Sequence, residues 1–152
     1  MQARMGQPAM IVPGAFKALI ALSEAAQQTG VPKTTLELMN LRASQINGCS
    51  VCAHMHARDL RKAGESDERI DTVAAWREAP FFTGPERAAL ALAEAVTRLA
   101  DRPNPVTDEI YNAAAEHYDE QQLAGLILSV SAVNVWNRLN AATIQVAGAH
   151  GA

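Results

Sequence analysis

The sequence predicts an all-α protein, a compact bundle of about six to seven helices that forms a single domain over residues 1–152. Much of the 49% hydrophobic content is alanine, whereas aromatic residues make up only 5% of the chain. Small apolar side chains favour closely packed helices, while β-sandwiches are rich in β-branched and aromatic residues. No segment shows the two-residue alternation that is typical of strands.

Glycine, proline and capping residues bound four predicted helices in the first half of the chain, at about residues 14–28, 32–46, 49–63 and 66–76. Pro32 suits a first helical position because a proline there loses no helical hydrogen bond. Asn47 and Gly48 are a strong signal for the end of a helix. We therefore expect the second and third helices to be joined by a tight turn.

Three further helices are predicted at about residues 85–99, 107–117 and 119–146. Thr83 with Glu86, and later Asp119 with Gln122, have the spacing of capping boxes. The last helix looks buried, so we expect a subunit interface to satisfy polar residues such as Asn134 and Asn137. The tail from Gly148 to Ala152 is expected to be frayed.

Charge and hydropathy exclude several classes of partner. The formal net charge is −3 and there is no run of Lys or Arg, so nucleic acid is not expected as a partner. No apolar run approaches the roughly 20 residues that span a bilayer, so no membrane association is expected. The start of the chain has no clean signal peptide, which predicts a cytoplasmic protein. In that compartment a Cys-x-x-Cys pair is more often catalytic or metal-binding than structural.

The only two cysteines, Cys49 and Cys52, lie just after the predicted turn. On a helix, Cys49, Cys52 and His56 fall at positions i, i+3 and i+7, within one face, whereas His54 falls on another. The start of a helix favours negative charge, and His56 is placed to take the Cys52 proton or to pair with its thiolate. Because the thiolate is the reactive form of cysteine, this spacing predicts thiol chemistry.

Glu37 precedes Cys49 by twelve residues, toward the middle of the second helix. A helical hairpin through Asn47 and Gly48 would place Glu37 near Cys52 and His56. The pattern leaves two other interpretations open. The cysteines are two buried small hydrophobes in one of them; in the other, Cys49, Cys52, His56 and Glu37 are the four ligands of a zinc ion.

The segment from Glu37 to His56 has the pattern Glu-x11-Cys-x2-Cys-x3-His. It resembles the core of the AhpD-like alkylhydroperoxidases within the carboxymuconolactone decarboxylase superfamily. The motif core spans about residues 36–64, and the surrounding helical layout is similar to that of family members over most of the chain.

The resemblance implies an all-helical subunit that reduces hydroperoxides. Cys52 would attack the peroxide and Cys49 would resolve the sulfenic acid to a disulfide, while Glu37 and His56 would form a proton relay. An external dithiol donor would reopen the disulfide, and homotrimers or homohexamers are common in the family. We see no flavin, haem or nucleotide motif, so no bound cofactor or metal is expected.

One position departs from the pattern of some members, which carry a histidine directly before the second cysteine. Val51 stands there in this chain, which removes one possible relay member and points to a weaker activity or a different substrate. Two other functions remain open. The protein would be a decarboxylase-like lyase in the first, and a thiol-based redox sensor without turnover in the second.

Overall fold

The structure is a computed structural model that describes residues 1–148, so most of the tail that we expected to be frayed lies outside the described residues. Within that part of the chain it contains eight α-helices, one 3₁₀ helix and no strand, which confirms the predicted all-α class. The α-helices are α1 (Pro8–Ile11), α2 (Ala15–Gln27), α3 (Lys33–Ile46), α4 (Ser50–Lys62), α5 (Asp67–Thr72), α6 (Gly84–Thr97), α7 (Asp108–Ala115) and α8 (Glu120–Thr143); the 3₁₀ helix (Val73–Ala75) follows α5.

Side-chain caps determine where several of these helices begin. The Thr83 side chain accepts the N–H of Glu86, and the Glu86 carboxylate accepts the N–H of Thr83 in return. Asp119 and Gln122 make the same reciprocal pair at the start of α8. Both capping boxes confirm the prediction. They could be predicted because each depends only on two residues three positions apart.

Some boundaries differ from the prediction. The single-turn helix α1 was missed, since four residues carry no periodicity. Pro32 is the N-cap of α3 rather than its first residue. The predicted fourth helix ends at Thr72 and continues only as the 3₁₀ turn. The last helix ends at Thr143 instead of near residue 146, because Ile144 adopts a left-handed conformation with φ 53°.

The 24-residue helix α8 packs against α2, α3 and α6. Two hydrophobic clusters form the core, and α3 contributes to both of them. The first includes Leu36, Met39, Leu92, Leu126 and Val130. The second includes Leu38, Leu41, Leu60, Val73 and Trp76. None of the helices within residues 1–148 combines the length and apolar character needed to cross a bilayer.

A buried carboxylate, Glu94 of α6, joins three parts of the fold. It accepts hydrogen bonds from Arg42 Nε at 2.6 Å, Trp76 Nε1 at 3.0 Å and Arg77 Nη1 at 2.5 Å. Burial raises the pKa of Glu94, but the hydrogen bonds from Arg77, Arg42 and Trp76 outweigh it and leave that pKa below its ordinary value. The carboxylate therefore stays charged and holds α3, α6 and the segment after the 3₁₀ helix together.

The end of α2 approaches α8 so closely that only glycine fits at position 125. A Cβ atom on Gly125 would lie 1.9 Å from Thr29 Oγ1 and 2.7 Å from Thr29 Cβ. Thr29 is itself held, since its hydroxyl donates to the Ala26 carbonyl at 2.9 Å. The close approach of α2 to α8 thus depends on the absence of a Cβ atom at Gly125.

We expect Gly125→Ala to lower the free energy of unfolding by about 1–3 kcal/mol, because overpacking outweighs the better helix propensity of alanine. Urea denaturation measures the change. In a Thr29→Gly background, where the clashing atoms are gone, the same substitution should instead stabilise the protein. Equal stabilisation by Gly125→Ala in both backgrounds would show that the two helices can separate at no cost.

Candidate active site

The turn between α3 and α4 sets the position of the two sulfurs. Gly48 adopts φ 66°, a left-handed conformation that glycine takes readily. The Cys49 N–H then donates to the Ser44 carbonyl at 2.9 Å, and Cys49 becomes the N-cap of α4. The two helices consequently fold back against each other, as the stop signal predicted.

The same hairpin brings Glu37 of α3 against His56 of α4. Glu37 Oε2 lies 2.7 Å from His56 Nδ1, and both residues are buried. An ionised carboxylate can only accept, so Nδ1 carries the proton and Nε2 of a neutral ring keeps the lone pair. The structure therefore brings together these two residues in the arrangement of an oriented base.

Cys49 and Cys52 are free thiols, and they are only 4% and 2% exposed. Cys49 Sγ accepts the N–H of Cys52 at 3.4 Å, so a sulfur atom caps the first turn of α4. A helix start carries unpaired N–H groups and the positive end of the dipole, both of which favour a thiolate.

An amide from α8 completes the surroundings of the sulfurs. Asn140 Nδ2 lies 3.2 Å from Cys52 Sγ and 3.6 Å from Cys49 Sγ, so one NH₂ group donates to both. Asn140 is not among the predicted site residues, because it lies far along the chain from the cysteines. The available signal was the recurrence of asparagine every three residues, at 134, 137 and 140, on one face of a buried helix.

Asn134 and Asn137 find their partners within the chain, not at the subunit interface that we expected. Asn47 Nδ2 donates to Asn134 Oδ1 at 2.9 Å and to Asn137 Oδ1 at 2.8 Å. Asn137 Nδ2 donates to Ser44 Oγ at 3.1 Å, and Asn134 Nδ2 donates to Thr97 Oγ1 at 3.1 Å. The asparagine face of α8 thus fixes the turn that carries the cysteines.

The surroundings of the two thiols lower the pKa of Cys49 and raise that of Cys52. A hydrogen bond from the Cys52 side chain is the main cause that lowers the pKa of Cys49 to about 6, against the opposing effect of burial. The Cys52 N–H and the Asn140 amide act in the same direction. The bond to Cys49, burial and the charge on Cys49 raise the pKa of Cys52. The first thiolate of the reduced pair is therefore expected on Cys49.

The two remaining positions near the motif contribute little to this site. His54 is exposed on α4, away from buried His56, as its helical position predicted. Val51 is half-buried and offers no proton. Within residues 1–148 no direct hydrogen bond joins His56 to either sulfur, so proton transfer from Cys52 to His56 stays a prediction.

The zinc interpretation has no matching geometry in the part of the chain that the structure describes. There, no group of three or more His, Cys, Asp or Glu side chains is arranged to hold a metal ion. His56 Nδ1 faces Glu37 Oε2, and the sulfurs face Asn140 Nδ2.

A cleft of about 390 Å³ opens at the outer side of the Glu37–His56 pair. Glu37 is the only member of the pair that lines it. The lining residues are Lys33, Thr34, Glu37, Asp59, Lys62 and Ala63. Solvent in this cleft can exchange protons with the carboxylate, although the sulfurs themselves are buried.

The all-α fold and the buried dithiol beside a glutamate–histidine pair define an AhpD-like subunit. The model of the carboxymuconolactone decarboxylase family matches residues 13–95, which is more than half of the chain. The protein therefore belongs to the carboxymuconolactone decarboxylase family.

Sequence relatives include proteins with and without an assigned activity. YdfG of Bacillus subtilis, an uncharacterized protein, is 39% identical over 132 residues, which cover 87% of this chain and 88% of YdfG. The alkyl hydroperoxide reductase AhpD of Bradyrhizobium diazoefficiens is 49% identical over 43 residues, which cover 28% of this chain and 24% of AhpD. The likeness to AhpD thus concerns a short segment only.

Solved structures share the whole fold. A protein of unknown function from Agrobacterium tumefaciens, assigned provisionally to antioxidant defence as AhpD, superposes with a TM-score of 0.89 at 32% identity. The match covers 98% of this chain and all of the other. The debrominase Bmp8 has a TM-score of 0.79 at 20% identity, over 90% of this chain and 73% of its own. Such a distant likeness concerns the fold alone and shows that this fold serves more than one reaction.

We expect the reduced protein to show one thiolate titration near pH 6, because the pKa of Cys49 is lowered to about 6. Thiolate absorbance in the near ultraviolet, followed against pH, measures it. Cys49→Ser should lose this step, and Cys52→Ala should move it to higher pH, since the side-chain donor to Cys49 is gone. Persistence of the step in Cys49→Ser would place the charge on Cys52 instead.

Proposed function

We propose that this protein is a thiol-dependent peroxidase that reduces small hydroperoxides through Cys49 and Cys52. The observation that carries the proposal is the pair of buried thiols at a helix start, where the sulfurs accept from the Cys52 N–H and the Asn140 amide. A second thiol lies three residues on, and an oriented Glu37–His56 pair lies on the same helical hairpin. A poised thiolate with a resolving partner is what peroxide reduction by a dithiol needs.

The first step forms a sulfenic acid on Cys52. The Cys52 proton passes to the Cys49 thiolate or to His56, which leaves a thiolate on Cys52. This thiolate attacks one peroxide oxygen, so that an S–O bond forms and the O–O bond breaks. The alkoxide takes up this proton from Cys49 or His56 and leaves as an alcohol, so Cys49 is deprotonated for the second step. Cys52 is oxidised by two electrons, and the peroxide is reduced by two.

The second step closes the disulfide. Deprotonated Cys49 attacks the Cys52 sulfur, an S–S bond forms, and the S–O bond breaks as hydroxide leaves and takes up a proton to become water. An external dithiol then supplies two electrons and two protons by thiol–disulfide exchange, which regenerates both thiols. The chain's own cysteines thus cycle between dithiol and disulfide without a bound cofactor.

Glu37 and His56 act as the proton relay of this cycle. His56 Nε2 is the nitrogen left free for proton transfer, since Nδ1 is engaged by Glu37. Cys52 and His56 are four residues apart on α4, so their side chains share one face of the helix. The cleft beside Glu37 gives the carboxylate a route to solvent protons.

The relatives support the same chemistry at a coarser level. AhpD of Bradyrhizobium diazoefficiens is named an alkyl hydroperoxide reductase, and the chain shares the cysteine–histidine–glutamate pattern of that class. We further propose a homotrimer or homohexamer. The exposed apolar residues Ile127, Leu128 and Val135 on α8 offer a surface for such an assembly.

We expect Cys52→Ser to abolish peroxide consumption in an assay with a dithiol donor, because it removes the attacking sulfur. Cys49→Ser should stop after the first step and accumulate a Cys52 sulfenic acid, which a dimedone-type reagent traps for mass spectrometry. In the wild-type protein, one equivalent of peroxide should remove two hydrogens from the peptide that holds both cysteines. A dimedone adduct on Cys49 in Cys52→Ser, with continued peroxide consumption, would reverse the order of the two sulfurs.

We expect Glu37→Gln and His56→Ala to slow the first step by about 10²–10⁴-fold, the usual contribution of general acid–base catalysis, and to change the pH–rate profile. Stopped-flow peroxide consumption over a range of pH measures both effects. His54→Ala is the matched control, since His54 is exposed on the same helix. An unaltered pH–rate profile in both relay variants would show that the relay is not used.

The same assays separate the two other functions. A decarboxylase-like lyase would act on a small lactone and keep that activity in a protein without cysteines. A redox sensor would form the disulfide once, with a change of assembly, and would show negligible steady-state turnover. Sustained turnover that depends on both cysteines is the outcome expected for the peroxidase.

A further inference from the structure

The segment before α1 is tied to the end of α8, next to the sulfurs. The Arg4 N–H donates to the Thr143 carbonyl at 2.8 Å. The Gln145 side chain donates to the Met5 carbonyl at 2.9 Å. These bonds bring Gln7, the N-cap of α1, against the last turns of α8. Residues 4–7 and residue 140 both lie outside the part of the chain that the family model matches, residues 13–95.

The orientation of two side-chain amides follows from one backbone donor. The Ala9 N–H can only donate, and it lies 3.1 Å from Gln7 Oε1, which must therefore be the oxygen. Gln7 Nε2 then faces Asn140 Oδ1 at 2.7 Å. This bond fixes the Asn140 amide with its nitrogen toward the sulfurs. The assignment of oxygen and nitrogen in both amides thus depends on the hydrogen-bond network and not on the shape of the side chains.

We propose that Gln7 and Asn140 form a two-amide relay. In this relay Gln7 orients the Asn140 NH₂ group so that it donates to both sulfurs of the reduced dithiol. Asn140 contacts the reacting atoms, and Gln7 acts on them through Asn140. The inference deepens the proposed function, because it adds to the dithiol site the groups that hold its charge.

The chemistry of the contact favours a charged sulfur. An amide NH₂ group has two donors and no acceptor, so it stabilises a thiolate and gives nothing to a thiol proton. Both N–H donors are used on one pair of sulfurs, 3.2 Å and 3.6 Å away. Asn140 is 8% exposed, so water does not compete freely for these bonds. The Asn140 bond acts to lower the pKa of Cys49 and of Cys52 alike.

The test is the pH titration of thiolate absorbance in the reduced protein, which needs no peroxide. Asn140→Leu keeps a similar volume and removes both donors. We expect it to move the first thiolate step up by about one pH unit, which is about tenfold less thiolate below the step. Asn112→Leu on the exposed face of α7 is the matched control and should titrate as the wild type.

Gln7→Glu tests the orienting role. Its carboxylate still accepts the Ala9 N–H but turns an oxygen toward Asn140 Oδ1, so the Asn140 amide should rotate and present its oxygen to the sulfurs. We expect an upward shift of the first thiolate step by Gln7→Glu alone, and little further shift when Asn140→Leu is already present. A shift of undiminished size in the double variant would mean that the added charge acts through space, and would overturn the relay.

Circular dichroism identifies the variants that fold, and if Asn140→Leu does not fold, Asn140→Ala takes its place in both the single and the double variant. Folded variants that titrate at the wild-type pH would overturn the inference. The proposed function fails separately, by absence of peroxide turnover in the wild type. A shifted thiolate step without any turnover would keep the two-amide relay and reject the peroxidase.

Discussion

The reversal of the chain at Asn47 and Gly48 places the carboxylate, the imidazole and both sulfurs of the site, because α3 and α4 leave that turn in contact with each other. Gly48 supplies the left-handed conformation, and the Cys49 N–H closes the turn on the Ser44 carbonyl. A side chain other than glycine would meet the Cβ penalty of that conformation. The bond between Glu37 and His56 and the sulfur cap of α4 both follow from this one reversal.

The buried face of α8 adds a second constraint, which is polar rather than apolar. A neutral hydrogen bond contributes about 1 kcal/mol, whereas a buried polar group left without a partner costs about 1–3 kcal/mol. Asn134 and Asn137 meet this requirement through Asn47, and Asn140 meets it through Gln7 and the two sulfurs. Such a network tolerates few alternative arrangements, so it holds the cysteine turn in one geometry.

Interactions between residues that are close together along the chain could be predicted from the sequence, whereas those between distant positions could not. The capping boxes at Thr83 and Asp119 were predicted because three residues decide them. The contact of Glu37 with His56 was predicted because a short hairpin leaves little freedom between them.

The remaining features of the site depend on contacts that no local pattern encodes. Gln7 and Asn140 are 133 positions apart, and only the packing of the segment before α1 on the end of α8 brings them together. The pKa of Cys49 is lowered and that of Cys52 is raised because Cys52 is the donor of the bond between the two thiols. Spacing along a helix places both sulfurs on one face but does not rank their acidity.

The carboxylate of Glu94 has a consequence for how this chain can diverge over generations. It is the common acceptor for two guanidinium groups and an indole from different parts of the molecule. A neutral replacement there would strand the Arg42 charge inside the protein, and loss of Arg42 alone would leave the acid short of a counter-ion. Substitutions in this group are therefore tolerated best when they occur together. Related sequences should either keep all four residues or replace all four: Arg42, Trp76, Arg77 and Glu94.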